Sequence, residues 1–312
     1  MVPSVTVPVK IVVLGSGGSW PCRDRAPPAV ALKLDGEIIL FDCAEGTQRQ
    51  FMFSTLSFMQ VGHVLLSHLH GDHFLGLPGL VETMALNDRQ DRLDVYGPPG
   101  TARRLRTLFS VGYFSAAFPV GLHDLRGGDE VDFGTCRLRC AEASHQVPSL
   151  AYSVEEPPRP GRFNLDKARA LGIPAGRLYN RLQAGETVTH AGRTFSPDMV
   201  LGPPRGGRKV VYTGDSAPSA ALTELARGAD LLIHDSTSDS ALAAKANQYG
   251  HSSSVQAAET ARSAGARMLL LVHISPRFGK EDEPRMLAEA RAVFPDTVLA
   301  SDLLELDIRL RD

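Results

Sequence analysis

Three things are scarce in this chain of 312 residues, and each scarcity excludes a class of protein. Cysteine is confined to Cys22, Cys43, Cys136 and Cys140, which form neither a CxxC pair nor a framework of regular spacing. That argues against a disulfide scaffold or a structural zinc knuckle, and the four are read as reduced, partly buried thiols. Surplus charge is missing as well. The formal net charge is only -2, so nothing global argues for nucleic acid, and a polyanion would have to meet a local concentration of basic residues. Long apolar runs are also absent: none approaches the roughly 20 residues of a bilayer span, so no membrane association is expected. The opening MVPSVTVPVKIVVLGSGG lacks the basic n-region and cleavage pattern of a signal peptide and is read as a first strand, with a cytoplasmic protein expected.

What is present is a globular composition, 43% hydrophobic, with short apolar runs throughout. KIVVLG (10–15), AVALKL (29–34), EIILFD (37–42), HVLLS (63–67), LDVYG (93–97), CRLRCAEA (136–143), KVVYTG (209–214), ADLLIHD (229–235) and RMLLLVH (267–273) have strand length and composition. Helical spacing lies between them at 45–58, 75–88, 99–110, 218–227, 254–264 and 283–293. Strands mixed with helices predict an α/β layered architecture, expected as a single domain over 1–312, with DGE at 35–37 marking an antiparallel hairpin. From 155 to 208 the rhythm stops in a stretch rich in Pro, Gly and Arg. Residues 157–209 carry ten Lys/Arg against three Asp/Glu, so a basic excursion from the core is expected here.

The densest chemistry is LLSHLHGDHFLGLPGL at 65–80. On the end of a strand, residues two apart face the same side, so His68 and His70 can point at one ion. Gly71 lets the chain turn, and Asp72 and His73 then point at a neighbouring position as a helix begins. Histidine with aspartate suits a catalytic rather than a structural zinc site. His145, Asp215 and His273 each follow an apolar run, at the strand ends where α/β sheets gather functional groups. His63, His123 and His190 lack that context and are read as ordinary core or solvated histidines. On its own LLSHLHGDHFLGLPGL indicates a strand, a glycine turn and half of a two-metal site.

The motif SHLHGDHFxGLPGL resembles the signature of the metallo-β-lactamase fold, and specifically its tRNA 3′-processing endonuclease branch, the ribonuclease Z family. FDCAEGTQRQ at 41–50, GRF…ALGIPAGRLY…LQAGE at 161–186 and HSSS at 251–254 are similar to that branch too. The resemblance implies a four-layer αββα sandwich of two mixed sheets, with a protruding arm at 155–195 that grips tRNA, Arg177 and Arg181 serving as phosphate contacts. It implies two zinc ions per subunit, with manganese or iron as alternatives. His68, His70 and His145 would hold one ion, Asp72, His73 and His273 the other, and Asp215 would bridge them. Asp72 would also accept a proton, and His251, supported by Asp235, would protonate the leaving group. The implied activity is hydrolytic removal of the 3′ trailer from precursor tRNA, leaving a 3′-hydroxyl and a 5′-phosphate, by a homodimer. The chain departs from the family pattern at HDST (234–237), where the family has HEAT, and at Ala44, Arg177 and Ser216. Competing readings are a phosphodiesterase of the same fold acting on small or cyclic nucleotides, a flavodiiron redox protein and an inactive RNA-binding module. The flavodiiron reading fails at His70, where such proteins carry an acidic ligand.

Overall fold

The computed structural model describes residues 9–113 and 116–311. In chain order, the first six strands are β1 (Val9–Gly15), β2 (Ala29–Leu34), β3 (Glu37–Phe41), β4 (Val61–Leu65), β5 (Leu93–Gly97) and β6 (Val120–Asp124). They follow β16 (Glu305–Ile308) in a seven-stranded sheet of order β16-β1-β2-β3-β4-β5-β6. The second sheet has order β15-β14-β13-β12-β9-β8-β7. Its members are β7 (Glu130–Asp132), β8 (Arg137–Glu142), β9 (Leu150–Glu155), β12 (Lys209–Tyr212), β13 (Leu231–Asp235), β14 (Leu269–Val272) and β15 (Thr297–Leu299). A separate hairpin pairs β10 (Val188–His190) with β11 (Arg193–Phe195). Helices α1 (Thr47–Phe53), α2 (Gly71–Phe74), α3 (Leu77–Leu86) and α4 (Thr101–Phe109) belong to the first half. They are followed by α5 (Leu165–Ala170), α6 (Arg177–Gln183), α7 (Ala220–Leu225), α8 (Ala243–Gln248), α9 (Ser254–Ala264) and α10 (Glu283–Val293). No helix among the described residues is long and apolar enough to cross a membrane.

Alternation along the strands explains the layering. In β1, Val9, Ile11 and Val13 enter a core shared with the second sheet, while Val12 and Leu14 enter the core beneath α1, α3 and α4. In β14, Leu270 and Val272 face the first sheet, while Leu269 and Leu271 pack under α9 and α10. Successive side chains of a strand point to opposite faces, so strands buried on both faces read as unbroken apolar runs. The outcome is helices, sheet, sheet, helices: the expected αββα sandwich. Both sheets are mixed, β1 pairing antiparallel with β2 and β3 parallel with β4, and β12 pairing antiparallel with β9 and parallel with β13. Asp35 (φ 48°) and Gly36 (φ 88°) make the tight turn between β2 and β3 that DGE signals. Of the four free cysteines only Cys22 is exposed.

Among the described residues, 9–155 and 208–309 form one compact unit, and 156–207 with 310–311 form another. The second unit is better ordered than its composition suggests. It carries α5, α6 and the β10–β11 hairpin around a small core that includes Ile173, Tyr179, Leu182, Phe195 and Val200. Asn164 caps α5 by accepting a hydrogen bond from Lys167 N (2.9 Å), and Tyr179 Oη donates to Ile173 O (3.0 Å). Its neck is closed by reciprocal backbone bonds between Arg159 and Arg205, 2.7 and 2.9 Å long.

Candidate metal centre

Five strands deliver side chains to one edge of the sheets. His68 follows β4, His145 follows β8, Asp215 follows β12, Asp235 closes β13 and His273 follows β14. The strand β4 ends in a sharp bend, after which His70 occupies the N-cap of the four-residue α2 and Asp72 its first turn. Asp215 arrives through Gly214 (φ 55°), where a Cβ would collide with Ser67. His273 itself is left-handed (φ 60°), which turns its ring out of the β14 direction, and a Cβ on Gly18 would collide with that ring.

The ligand atoms of His68, His70 and His145 lie within 4.8 Å of one another, as do those of Asp72, His73 and His273. Asp215 sits between the groups: its Oδ2 is 3.7 Å from His68 Nε2 and 3.3 Å from His73 Nε2, and its Oδ1 is 3.3 Å from His273 Nε2. All seven residues proposed from the sequence as ligands are therefore brought together. Four of them are deeply buried, His68 and His73 fully enclosed and Asp215 and His273 only 3% exposed, while His70, Asp72 and His145 are half-buried.

The rings are locked from behind. His68 Nδ1 contacts Ser67 Oγ (3.0 Å), His73 Nδ1 contacts Asp42 Oδ2 (2.7 Å), His145 Nδ1 contacts Gly250 O (2.9 Å) and His273 Nδ1 contacts Thr237 Oγ1 (2.8 Å). Each of these four thus turns Nε2 toward the cluster, while His70 presents Nδ1, 2.9 Å from His68 Nε2 and 3.2 Å from His145 Nε2. Such backing of the remote nitrogen is the arrangement metal-binding imidazoles use. Asp42 is the residue the sequence reading missed, although FDCAEGTQRQ was noted. It is wholly buried with φ 54°, and it accepts from Ser67 N (2.7 Å), Ser67 Oγ (2.8 Å) and Tyr212 Oη (2.6 Å) besides facing His73. Its signal in the sequence was an acidic residue placed directly after the apolar run IILF.

Charge and burial oppose one another throughout. Burial pushes His68 well below the ordinary histidine range, with His73 adding to the effect, and burial likewise lowers His145. At His73 burial also disfavours the charged form, but Asp215 and Asp42 outweigh it and raise the pKa well above the usual value. Burial would raise Asp215, yet His273 and His73 hold it well below the carboxylate range. Beside the cluster, burial of His251 is overcome by Asp235 and Asp215, and its pKa rises to about 9. Asp235 Oδ2 lies 3.0 Å from His251 Nδ1, and Asp235 Oδ1 accepts from Thr237 N (2.9 Å) and Thr237 Oγ1 (2.6 Å). Although one methylene shorter than the family's glutamate, Asp235 reaches the histidine. Arg177 and Arg181 both lie on α6 of the second unit; Arg181 pairs with Glu186 (2.7 Å), while Arg177 is exposed. His63 and His123 pair with Glu37 (3.7 Å) and Asp94 (2.7 Å), remote from this edge, and His190 is exposed on β10.

The donor set fits a divalent metal site. His73 Nε2, His273 Nε2 and Asp215 Oδ1 are buried with no hydrogen-bond partner, and an orphaned buried polar atom costs about 1–3 kcal/mol. All three face the same space, where a cation would meet them, and the carboxylate pressure that favours a proton on His73 equally favours a metal ion in its place.

The model of the β-lactamase superfamily domain matches residues 37–169 and 180–274. The chain is 43% identical over 303 residues to ribonuclease Z of Methanosarcina acetivorans, covering 97% of this chain and 99% of the relative. It is 44% identical over 301 residues to ribonuclease Z of Archaeoglobus fulgidus, covering 96% and 97%. Its backbone superposes on the crystal structure of the short form of human tRNase Z with a TM-score of 0.71 and 26% identity, covering 96% of this chain and all of that one. Likeness sustained from end to end, through the basic excursion as well as the histidine motif, places this chain in the ribonuclease Z family of metallo-β-lactamase-fold proteins.

Proposed function

We propose that this protein is a metal-dependent endoribonuclease that removes the 3′ trailer from precursor tRNA. The observation that carries the reading is the pair of three-residue clusters meeting at Asp215, with His251 and Asp235 alongside, in a chain whose relatives are named ribonuclease Z. His68, His70 and His145 would hold one ion, Asp72, His73 and His273 a second, and Asp215 would bridge them. The imidazole-rich set suits two zinc ions per subunit, with manganese and iron as the alternatives that metal analysis distinguishes. When bound, such ions make water more acidic and neutralise the charge of the reacting phosphate.

The chain's own groups divide the proton work. Asp72 is held by the backbone N–H of Ser19 at its Oδ2 (2.8 Å), which orients the carboxylate to accept a proton from the attacking water. His251 binds Asp235 through Nδ1, so its Nε2 carries the proton given to the departing 3′-oxygen, and Asp235 favours that protonated form. Hydrolysis leaves a 3′-hydroxyl on the tRNA body and a 5′-phosphate on the trailer. The basic unit at 156–207 supplies phosphate contacts to the tRNA, Arg177 and Arg181 among them, which read RNA shape rather than sequence. A cytoplasmic homodimer completes the proposal, and sedimentation tests the dimer.

The decisive experiment incubates the purified protein with end-labelled precursor tRNA, with and without chelator. A chelator-sensitive cut beside the discriminator nucleotide is expected; a cut elsewhere, or one indifferent to chelation, overturns the assignment. Deleting 160–190 should depress precursor cleavage while bis(p-nitrophenyl) phosphate is still hydrolysed. If both rates stay at the wild-type level, the arm has no part in substrate binding.

A further inference from the structure

Two cavities flank the metal centre and share only His145. One, of about 330 Å³, is lined by His70, His145 and His251 together with Trp20, Tyr249, Phe278, Lys245 and Arg277. The other, of about 490 Å³, touches the centre through His145 alone and is walled by Pro98, Pro99 and Pro148, with Arg126 at its side. The first has the fittings of a nucleotide pocket. Its volume suits one nucleotide rather than a duplex. Trp20 is 54% and Tyr249 53% exposed, so large aromatic faces stand uncovered at its wall, and Lys245 and Arg277 make no ion pair with an acidic side chain among the described residues. The backbone leading to Trp20 is held in place, because Gly18 lies against the His273 ring and Ser19 N binds Asp72.

The position of His251 sets the direction of the strand. We infer that Trp20 stacks on the base of the nucleotide immediately 5′ of the cut, in the cavity that His251 lines, and that the first trailer nucleotide lies toward the proline-walled cavity. This rests on the tRNA reading and on His251 as the acid. The group protonated by His251 is the 3′-oxygen of the upstream ribose, so that ribose and its base belong on the side where His251 faces. Lys245 and Arg277 meet the adjoining phosphates. Stacking tolerates any base, which suits an enzyme whose substrates differ at that position.

Trp20 is the single tryptophan of the chain, so its fluorescence reports on this site alone. Titrating the metal-loaded protein with tRNA that ends at the nucleotide 5′ of the cut should quench the emission, and the same tRNA with that last nucleotide abasic should bind without quenching. Anisotropy of a dye on the tRNA records binding separately. Trp20→Ala should lower kcat/KM for precursor cleavage by about 5- to 150-fold, with Trp20→Phe restoring most of it. The loss should vanish on a precursor abasic 5′ of the cut and persist on one abasic at the first trailer nucleotide. Binding with no quench, or equal quenching by both tRNAs, overturns the role of Trp20. A loss that vanishes only on the trailer-side abasic precursor overturns the polarity. If the tRNA does not bind at all, the substrate reading falls, and this inference with it.

Discussion

Replacing Asp42 with Asn tests whether the metal centre depends on a residue that touches no metal. Asn keeps the shape and tolerates the left-handed backbone (φ 54°), so the change removes charge and one acceptor. Asp42 Oδ2 takes three contacts, from Ser67 Oγ, Tyr212 Oη and His73 Nδ1, while Oδ1 takes one, from Ser67 N. The amide will therefore turn its NH2 toward Ser67 N, the orientation that sets only one donor against another. An orphaned buried amide costs about 1–3 kcal/mol, and three hydrogen bonds that lose their charge assistance forfeit about 1 kcal/mol each. The sum, about 4–6 kcal/mol, overlaps the loss of about 3–5 kcal/mol seen when one partner of a buried pair is removed, and corresponds to a melting point lower by roughly 10 °C. Because His73 then leans on a neutral partner, zinc affinity should fall by about 10- to 100-fold. Thermal denaturation and competition against a chelator measure the two effects. A variant that melts within 2 °C of wild type and holds zinc equally well would refute the reasoning.

Tyr212→Phe removes one donor to Asp42 but leaves its charge, so it should cost only about 1–2 kcal/mol, read by denaturant titration. His251→Ala should reduce precursor cleavage by about 10²- to 10⁴-fold with zinc content unchanged. The loss should shrink on bis(p-nitrophenyl) phosphate, whose leaving group needs no proton, and zinc loss instead would make His251 a ligand. Gly18→Ala should lower zinc occupancy, because its methyl displaces the His273 ring; full occupancy by elemental analysis would show that the loop simply yields.

Much of the architecture was legible because its strands are buried on both faces. KIVVLG, KVVYTG and RMLLLVH stand out as apolar runs and end where the metal centre begins. The strands β6, β7, β9, β15 and β16 escaped: VGLHD, EVD and ELDI are short or half exposed, and LAYSVE is interrupted by polar Ser153. The candidate ligand positions were readable since His145, Asp215 and His273 each follow an apolar run, whereas the groups that orient them were not. Asp42, Ser67 and Thr237 look like ordinary turn residues until the fold sets them against imidazole nitrogens. In the second unit, Tyr179 and Leu182 sit on α6, Phe195 on the hairpin and Ile173 in the loop between α5 and α6, so no single period links them.

The manner in which that unit leaves the sandwich has one more consequence. Glu155, the last residue of β9, pairs directly with Lys209, the first of β12, so the intervening 156–207 segment begins and ends at adjacent points of an antiparallel ladder. For the sandwich it is the turn of a hairpin, and closing a longer turn costs only about 0.6 kcal/mol per doubling of length. Changes in the length of this segment should therefore have little effect on the stability of the sandwich, so the segment can diversify separately from the metal centre.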